Sequence, residues 1–160
     1  MQMDTGRREK NMKDSKTMNE LTKRLNAYEQ EKKAYEDSKE EARRQGHEAL
    51  MDWYDNGPEK PKYPLTGGQA KAWGMWYWNK REEMNFDDFV WENEAKDFID
   101  TLRAAEVKTF TVTNQSTSLM ENMHWFQQNG CTLVGLCEVE ETDEWNRKHY
   151  GNKMGVRFAL

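Results

Sequence analysis

From Thr17 to Asp55 the chain is dense in charge, and apolar residues recur sparsely at helical spacing: Met18, Leu21, Leu25, Tyr28, Tyr35, Ala42, Ala49 and Trp53. Such a pattern gives a helix with a narrow apolar seam and little with which to build a core. It predicts a charged helical arm over residues 17–57. Thr17-Met18-Asn19-Glu20 has the form of a capping box, in which hydroxyl and carboxylate satisfy each other's backbone N–H groups. Glu20/Arg24, Glu29/Lys33 and Glu40/Arg44 stand in the favourable i,i+4 order, each contributing about 0.2–0.5 kcal/mol. Leu21, Tyr28, Tyr35, Ala42 and Ala49 keep a heptad register, but the companion positions after Leu25 fall on Lys32, Lys39 and Gly46. Those residues spoil a long two-stranded coiled coil. The arm is therefore expected either to bind a partner or form a homo-oligomer, or to pack on its own domain through the Trp53/Tyr54 end. Gly46 is a place for a bend, Asn56-Gly57-Pro58 ends the helix, and residues 1–16 are expected to be a flexible N-terminus.

All three prolines lie in Pro58-Glu59-Lys60-Pro61-Lys62-Tyr63-Pro64, which predicts an extended, stiff linker over 58–64 and a domain over 65–160. In that domain Thr66 is set to cap a helix running to about Glu83. A short strand is expected at Asn85–Val90, a helix at Glu92–Ala105 with Ala95, Phe98, Ile99 and Leu102 on one face, and a strand at Lys108–Thr113. A helix follows at Ser116–Asn129, with Ser118 to Glu121 as its capping box and Gly130 just past its end. Cys131–Val139 reads as a strand, and Met154–Leu160 alternates as an edge strand does. Helices between strands imply crossovers and some parallel pairing, closed by a final hairpin. The fold class is α+β: a long N-terminal helical arm, then a small mixed-sheet domain with helices packed on it.

Composition places the charge. Lys/Arg and Asp/Glu balance at 14 each before Leu65, so the surplus behind the net charge of -5 falls on the later domain. A mean hydropathy of -1.17 and the absence of an apolar h-region near Met1 predict a cytoplasmic protein with no membrane partner. Cys131 and Cys137 are six residues apart along one expected strand, roughly 20 Å, too far for a bridge. They are expected to be reduced and mostly buried. Neither has the C-x-x-C spacing of a zinc site, and no cofactor or metal is expected.

The stretches Asp97–Ala105, Phe110–Thr117, Glu121–His124 and Gly130–Cys137 together resemble an uncharacterised small α/β domain family encoded on conjugative and phage-derived elements of Gram-positive bacteria. Thr111-Val112-Thr113 with Gln115-Ser116-Thr117 is the specific part. The resemblance covers the last 70 or so residues and leaves out the arm. In relatives the position of Asn114 is often acidic. No activity comes with the family, but the mobile-element origin that the resemblance implies points to a protein acting against a host, with an anti-CRISPR role as the specific expectation.

For chemistry, the turn Asn114, Gln115, Ser116 and Thr117 lies where a strand's carboxyl end meets a helix N-terminus, the usual ligand position in an open α/β sheet. It lacks the glycines of a phosphate loop, and helix capping accounts for its hydroxyls. Glu121 and His124 have the i,i+3 spacing of di-iron bundles without the second copy such sites need. No catalytic residue is assigned. What remains is charge. Glu82, Glu83, Asp87, Asp88, Glu92 and Glu94 form one acidic stretch, and Glu138, Glu140, Glu141, Asp143 and Glu144 another. Trp73, Trp76 and Trp78 form an aromatic cluster without the basic groove of a nucleic-acid platform. The expectation is a non-enzymatic protein whose acidic and aromatic residues bind a basic nucleic-acid-directed nuclease of the Cas9 type, not nucleic acid itself. The alternatives are an oligomerising scaffold of conjugation or plasmid maintenance, and a small-ligand enzyme using residues 113–117.

Overall fold

The first helix begins one residue before the expected box. In the computed structural model, which describes residues 15–79, 84–142 and 149–160, α1 spans Lys16–Gln45. Ser15 supplies its N-terminal acceptors: the hydroxyl takes the Met18 N–H at 3.2 Å and the carbonyl that of Asn19 at 2.8 Å. The box at Thr17 and Glu20 does not form, because Thr17 already lies in the helix and its hydroxyl donates to the Ala104 carbonyl at 3.1 Å.

The chain divides into two compact units. In the first, Glu20–Leu65, the arm is two helices, α1 and α2 (His47–Asn56), meeting at Gly46. Gly46 has φ 117°, a value that L side chains rarely adopt. The second helix returns against the first: Trp53 lies 4.9 Å from the Tyr35 ring, its indole N–H donates to the Ser38 hydroxyl at 3.0 Å, and Lys39 Nζ sits 5.6 Å from its ring centroid. The proline-rich segment also comes back along α1, with Tyr63 edge-on to Tyr28 at 5.4 Å. Heptad positions Tyr28 and Tyr35 are thus used within the chain. The aromatic partners were placed by the turn at Gly46, which allowed them to desolvate the seam without a second molecule.

Of the described residues, the second unit comprises 15–19, 66–79, 84–142 and 149–160. Its elements are α3 (Gly67–Trp78), β1 (Asn85–Phe86), α4 (Glu92–Ala104), β2 (Thr109–Val112), α5 (Leu119–Gln128), β3 (Thr132–Thr142) and β4 (His149–Ala159). Thr66 and Gln69 form a true capping box on α3. That helix stops at Trp78, short of the expected Glu83, because the Asn79 side chain turns to the incoming strand. Its carbonyl accepts the Asn85 N–H at 3.1 Å and its amide donates to the Asn85 carbonyl at 3.0 Å. β1 is only two residues long, since Asp88 accepts the N–H of Phe89 and the chain leaves the sheet there.

The sheet order is β1-β2-β4-β3, with β1 parallel to β2 and the other pairs antiparallel. The last strand is therefore interior, not the expected edge. Its alternation sets Val156 and Phe158 on the core face and half-buried Arg157 on the other. The expected capping box at Ser118 is also absent: Ser118 makes no side-chain cap bond, and its hydroxyl pairs with that of Ser116 at 2.9 Å. Gly130, with φ 87°, closes α5 as expected.

One face of the sheet carries the core. Phe86, Phe110 and Phe158 meet Phe98 of α4 and Phe126 of α5, with ring centroids 4.7–5.8 Å apart. All five are at most 2% exposed. Each such ring contributes about 1.5–3 kcal/mol by leaving water. Both cysteines are free, Cys131 buried and Cys137 half-buried.

Candidate functional site

The turn at residues 113–117 is built from side chains that hold the backbone. Thr113 is buried, and its hydroxyl lies 3.3 Å from both the Phe86 carbonyl and Asp87 Oδ1. Asn114 Oδ1 accepts the Ser116 N–H at 2.9 Å, an Asx turn. Gln115 donates to the Met154 carbonyl at 3.1 Å, fastening the turn to β4. Ser116 bonds Ser118, while Thr117 is exposed. These contacts give the polar residues of the turn a structural use and supply neither a base nor an orienting acid for Ser116. Among the described residues no group of three or more His, Cys, Asp or Glu could hold a metal ion. Among the same residues no helix is long and apolar enough to cross a membrane.

The two acidic stretches come apart in space. Asp87, Asp88 and Glu92 are exposed, and Lys153 of β4 reaches Asp87 at 3.5 Å. Glu94 has a different task. It pairs with Lys71 of α3 at 2.6 Å and accepts the Trp91 N–H at 3.0 Å, with only 17% of its side chain exposed. Burial alone would raise its pKa, but the hydrogen bonds from Lys71 and the Trp91 backbone, with the Lys71 charge, hold the carboxyl below its ordinary value. A carboxylate so engaged is spent on joining α3 to α4 and is not a free contact for a partner. Glu82 and Glu83 lie outside the described residues.

Glu138 and Glu140 of β3 are exposed. The register sets them opposite Met154 and Asn152 of β4, on the face that further along bears Val156 and Phe158. Lys153, the partner of Asp87, points to the other face by the alternation of β4. Asp87 therefore stands on the face of the sheet opposite Glu138 and Glu140. Asn152 donates to Glu138 at 3.3 Å. Glu141 belongs to β3, its side chain outside the description, and Asp143 and Glu144 lie outside it altogether.

The aromatic cluster also divides. Trp73 and Trp76 are 9% and 3% exposed, core residues of α3 and not the surface contacts expected of them. α3 packs so tightly on α4 that Gly68 meets its backbone, and this turns the two indoles inward. Trp78, at 65%, remains on the surface, joined there by Trp91 at 59%.

Sequence reasoning missed the outer rim of the sheet. Leu133, Val134 and Leu136 of β3 are 41%, 58% and 73% exposed, where the sequence reads only as a strand with mostly buried cysteines. Gly135 within the apolar run was the available signal, since an isolated glycine in a strand marks a bulge. It has φ 147°, and the register slips between Leu133 and Gly135. The rim thus presents two leucines and then two glutamates along one face.

Neither the curated proteins nor the solved structures include a match to this chain. Residues 70–160, the sheet domain from within α3 onward, match the family described as Domain of unknown function (DUF7698). The match takes in more than half of the chain and every strand of the sheet, and the protein belongs to that family.

Proposed function

We propose that this protein is a non-enzymatic interaction protein that inhibits a host nucleic-acid-directed nuclease by offering acidic side chains to a basic surface. The observation that carries the reading is Glu138 and Glu140 standing exposed on the edge strand beside exposed Leu133 and Leu136. Carboxylates fixed on a sheet present negative charge at strand spacing without the entropy cost of ordering a loop. Apolar neighbours add area to be desolvated. Exposed Asp87, Asp88 and Glu92 offer a second acidic contact, and Trp78 an aromatic one. The partner class is a protein with a cation-lined channel, for which a Cas9-type effector of CRISPR immunity, met by a mobile-element inhibitor, is the specific target.

The test is capture of such a nuclease, and inhibition of its DNA cleavage, by the full chain at two salt concentrations. Binding is expected to weaken steeply with salt. The double substitution Glu138→Lys/Glu140→Lys is expected to lower affinity at least tenfold, by placing like charges against the partner. Absence of binding at either salt, or indifference to the reversal, removes the proposal.

A further inference from the structure

Among the described residues β3 pairs on one side only, with β4. The helical layer that buries Phe110, Val156 and Phe158 leaves Leu133, Val134 and Leu136 of this strand in water, Leu136 most of all at 73%. Register makes the rim specific. Leu133 stands opposite Phe158, Leu136 opposite Val156, Glu138 opposite Met154 and Glu140 opposite Asn152, so all four share one face. Val134 is the extra residue of the bulge, and pairing from Gly135 to Glu141 is regular. This is a free strand with an unbroken backbone template, apolar at its start and acidic towards its end.

We propose that β3 takes up an extended segment of a partner protein as an added strand, with an aliphatic side chain against Leu136 and Lys or Arg at alternate positions against Glu138 and Glu140. The inference rests on the reading that these glutamates face a cationic partner and gives that contact its mode. Main-chain hydrogen bonds supply attachment, and alternate side chains supply choice. Charge decides the occupant. A second copy of this chain running antiparallel over the regular stretch, centred on Val139, sets Glu138 against Glu140 twice, and a parallel copy in register sets each glutamate against itself. Like charges directly opposite are destabilising. A basic segment turns both positions into attractive pairs.

Two blocked octapeptides test this on the unaltered full chain: Lys-Thr-Lys-Thr-Leu-Thr-Val-Thr and its reversed sequence, one for each strand direction. Controls carry proline at the central threonine or glutamine at both lysines. Calorimetry and amide hydrogen exchange give the readout. One of the two peptides is expected to bind and to slow exchange at alternate residues between Gly135 and Glu141, the amides that face the free edge. Proline should weaken that peptide at least tenfold by removing a donor from the ladder, and glutamine at least threefold. Equal binding of the proline peptide, no slowing in β3, or no binding by either direction overturns strand addition. So does a dimer in sedimentation whose β3 amides are already protected. Should these arms fail while Glu138→Lys/Glu140→Lys still abolishes nuclease capture, the acidic contact stands and only the mode falls.

Discussion

Asn122 shows how much one side chain can carry in a domain this small. It is 1% exposed, and its amide spans the Val90 backbone, with Oδ1 accepting the N–H at 2.8 Å and Nδ2 donating to the carbonyl at 3.1 Å. Asn122→Leu is expected to cost about 2–3 kcal/mol in urea denaturation, because both Val90 groups are left buried and unpaired. Glu94 is the residue with a pH signature. Its pKa is lower in the folded chain than in the unfolded one, so its contribution is fully present above the unfolded carboxylate value, near 4.3. That contribution fades as pH falls through the lowered folded value. Unfolding free energies of the parent and of Glu94→Gln should differ by roughly 1–2 kcal/mol at pH 7 and converge at strongly acid pH. Asn122 and Asn79 read in the sequence as ordinary polar residues, and Glu94 as one contact of an acidic stretch. Their partners lie in other elements, and no local pattern announces them.

At the scale of elements, periodicity located each helix and strand among the described residues of the domain, and tertiary contacts moved their ends. The stop of α3 at Trp78 depends on Asn79 reaching Asn85, and the late start of α5 on the Asx turn at Asn114. Helix α3 packs closely on α4. A Cβ at Gly68 would lie 2.4 Å from the Glu94 carbonyl oxygen and 2.6 Å from Phe98 N, both backbone atoms that cannot swing aside. Gly68→Ala is expected to force the helices apart and to destabilise by about 1–3 kcal/mol. The measurable sign is a lower urea midpoint with Trp73 and Trp76 fluorescence shifted to the red as the indoles meet water.

At the scale of the molecule, the compact units cut across the sequence order. The first turn of α1, with fully buried Met18 and the Thr17 bond to Ala104, belongs with the sheet domain, while the rest of that helix belongs with α2 and the proline-rich segment. Met18→Ala is expected to cost about 2–5 kcal/mol, seen as faster amide exchange towards the end of α4. Tyr35→Ala should leave that exchange unchanged and speed it in α2 instead, where Trp53 loses its partner. By itself the sequence determined the helical arm, the break at the prolines, the α+β class and the acidic balance of the domain, because spacing, capping residues and charge are local or additive properties. Only the tertiary structure decided that the arm folds back at Gly46, that β4 is interior and β3 the open rim, that Trp73 and Trp76 are core, and that Glu94 is held by Lys71. Each of these depends on which distant side chains meet, and that follows from strand order and helix packing, quantities that no window along the chain contains.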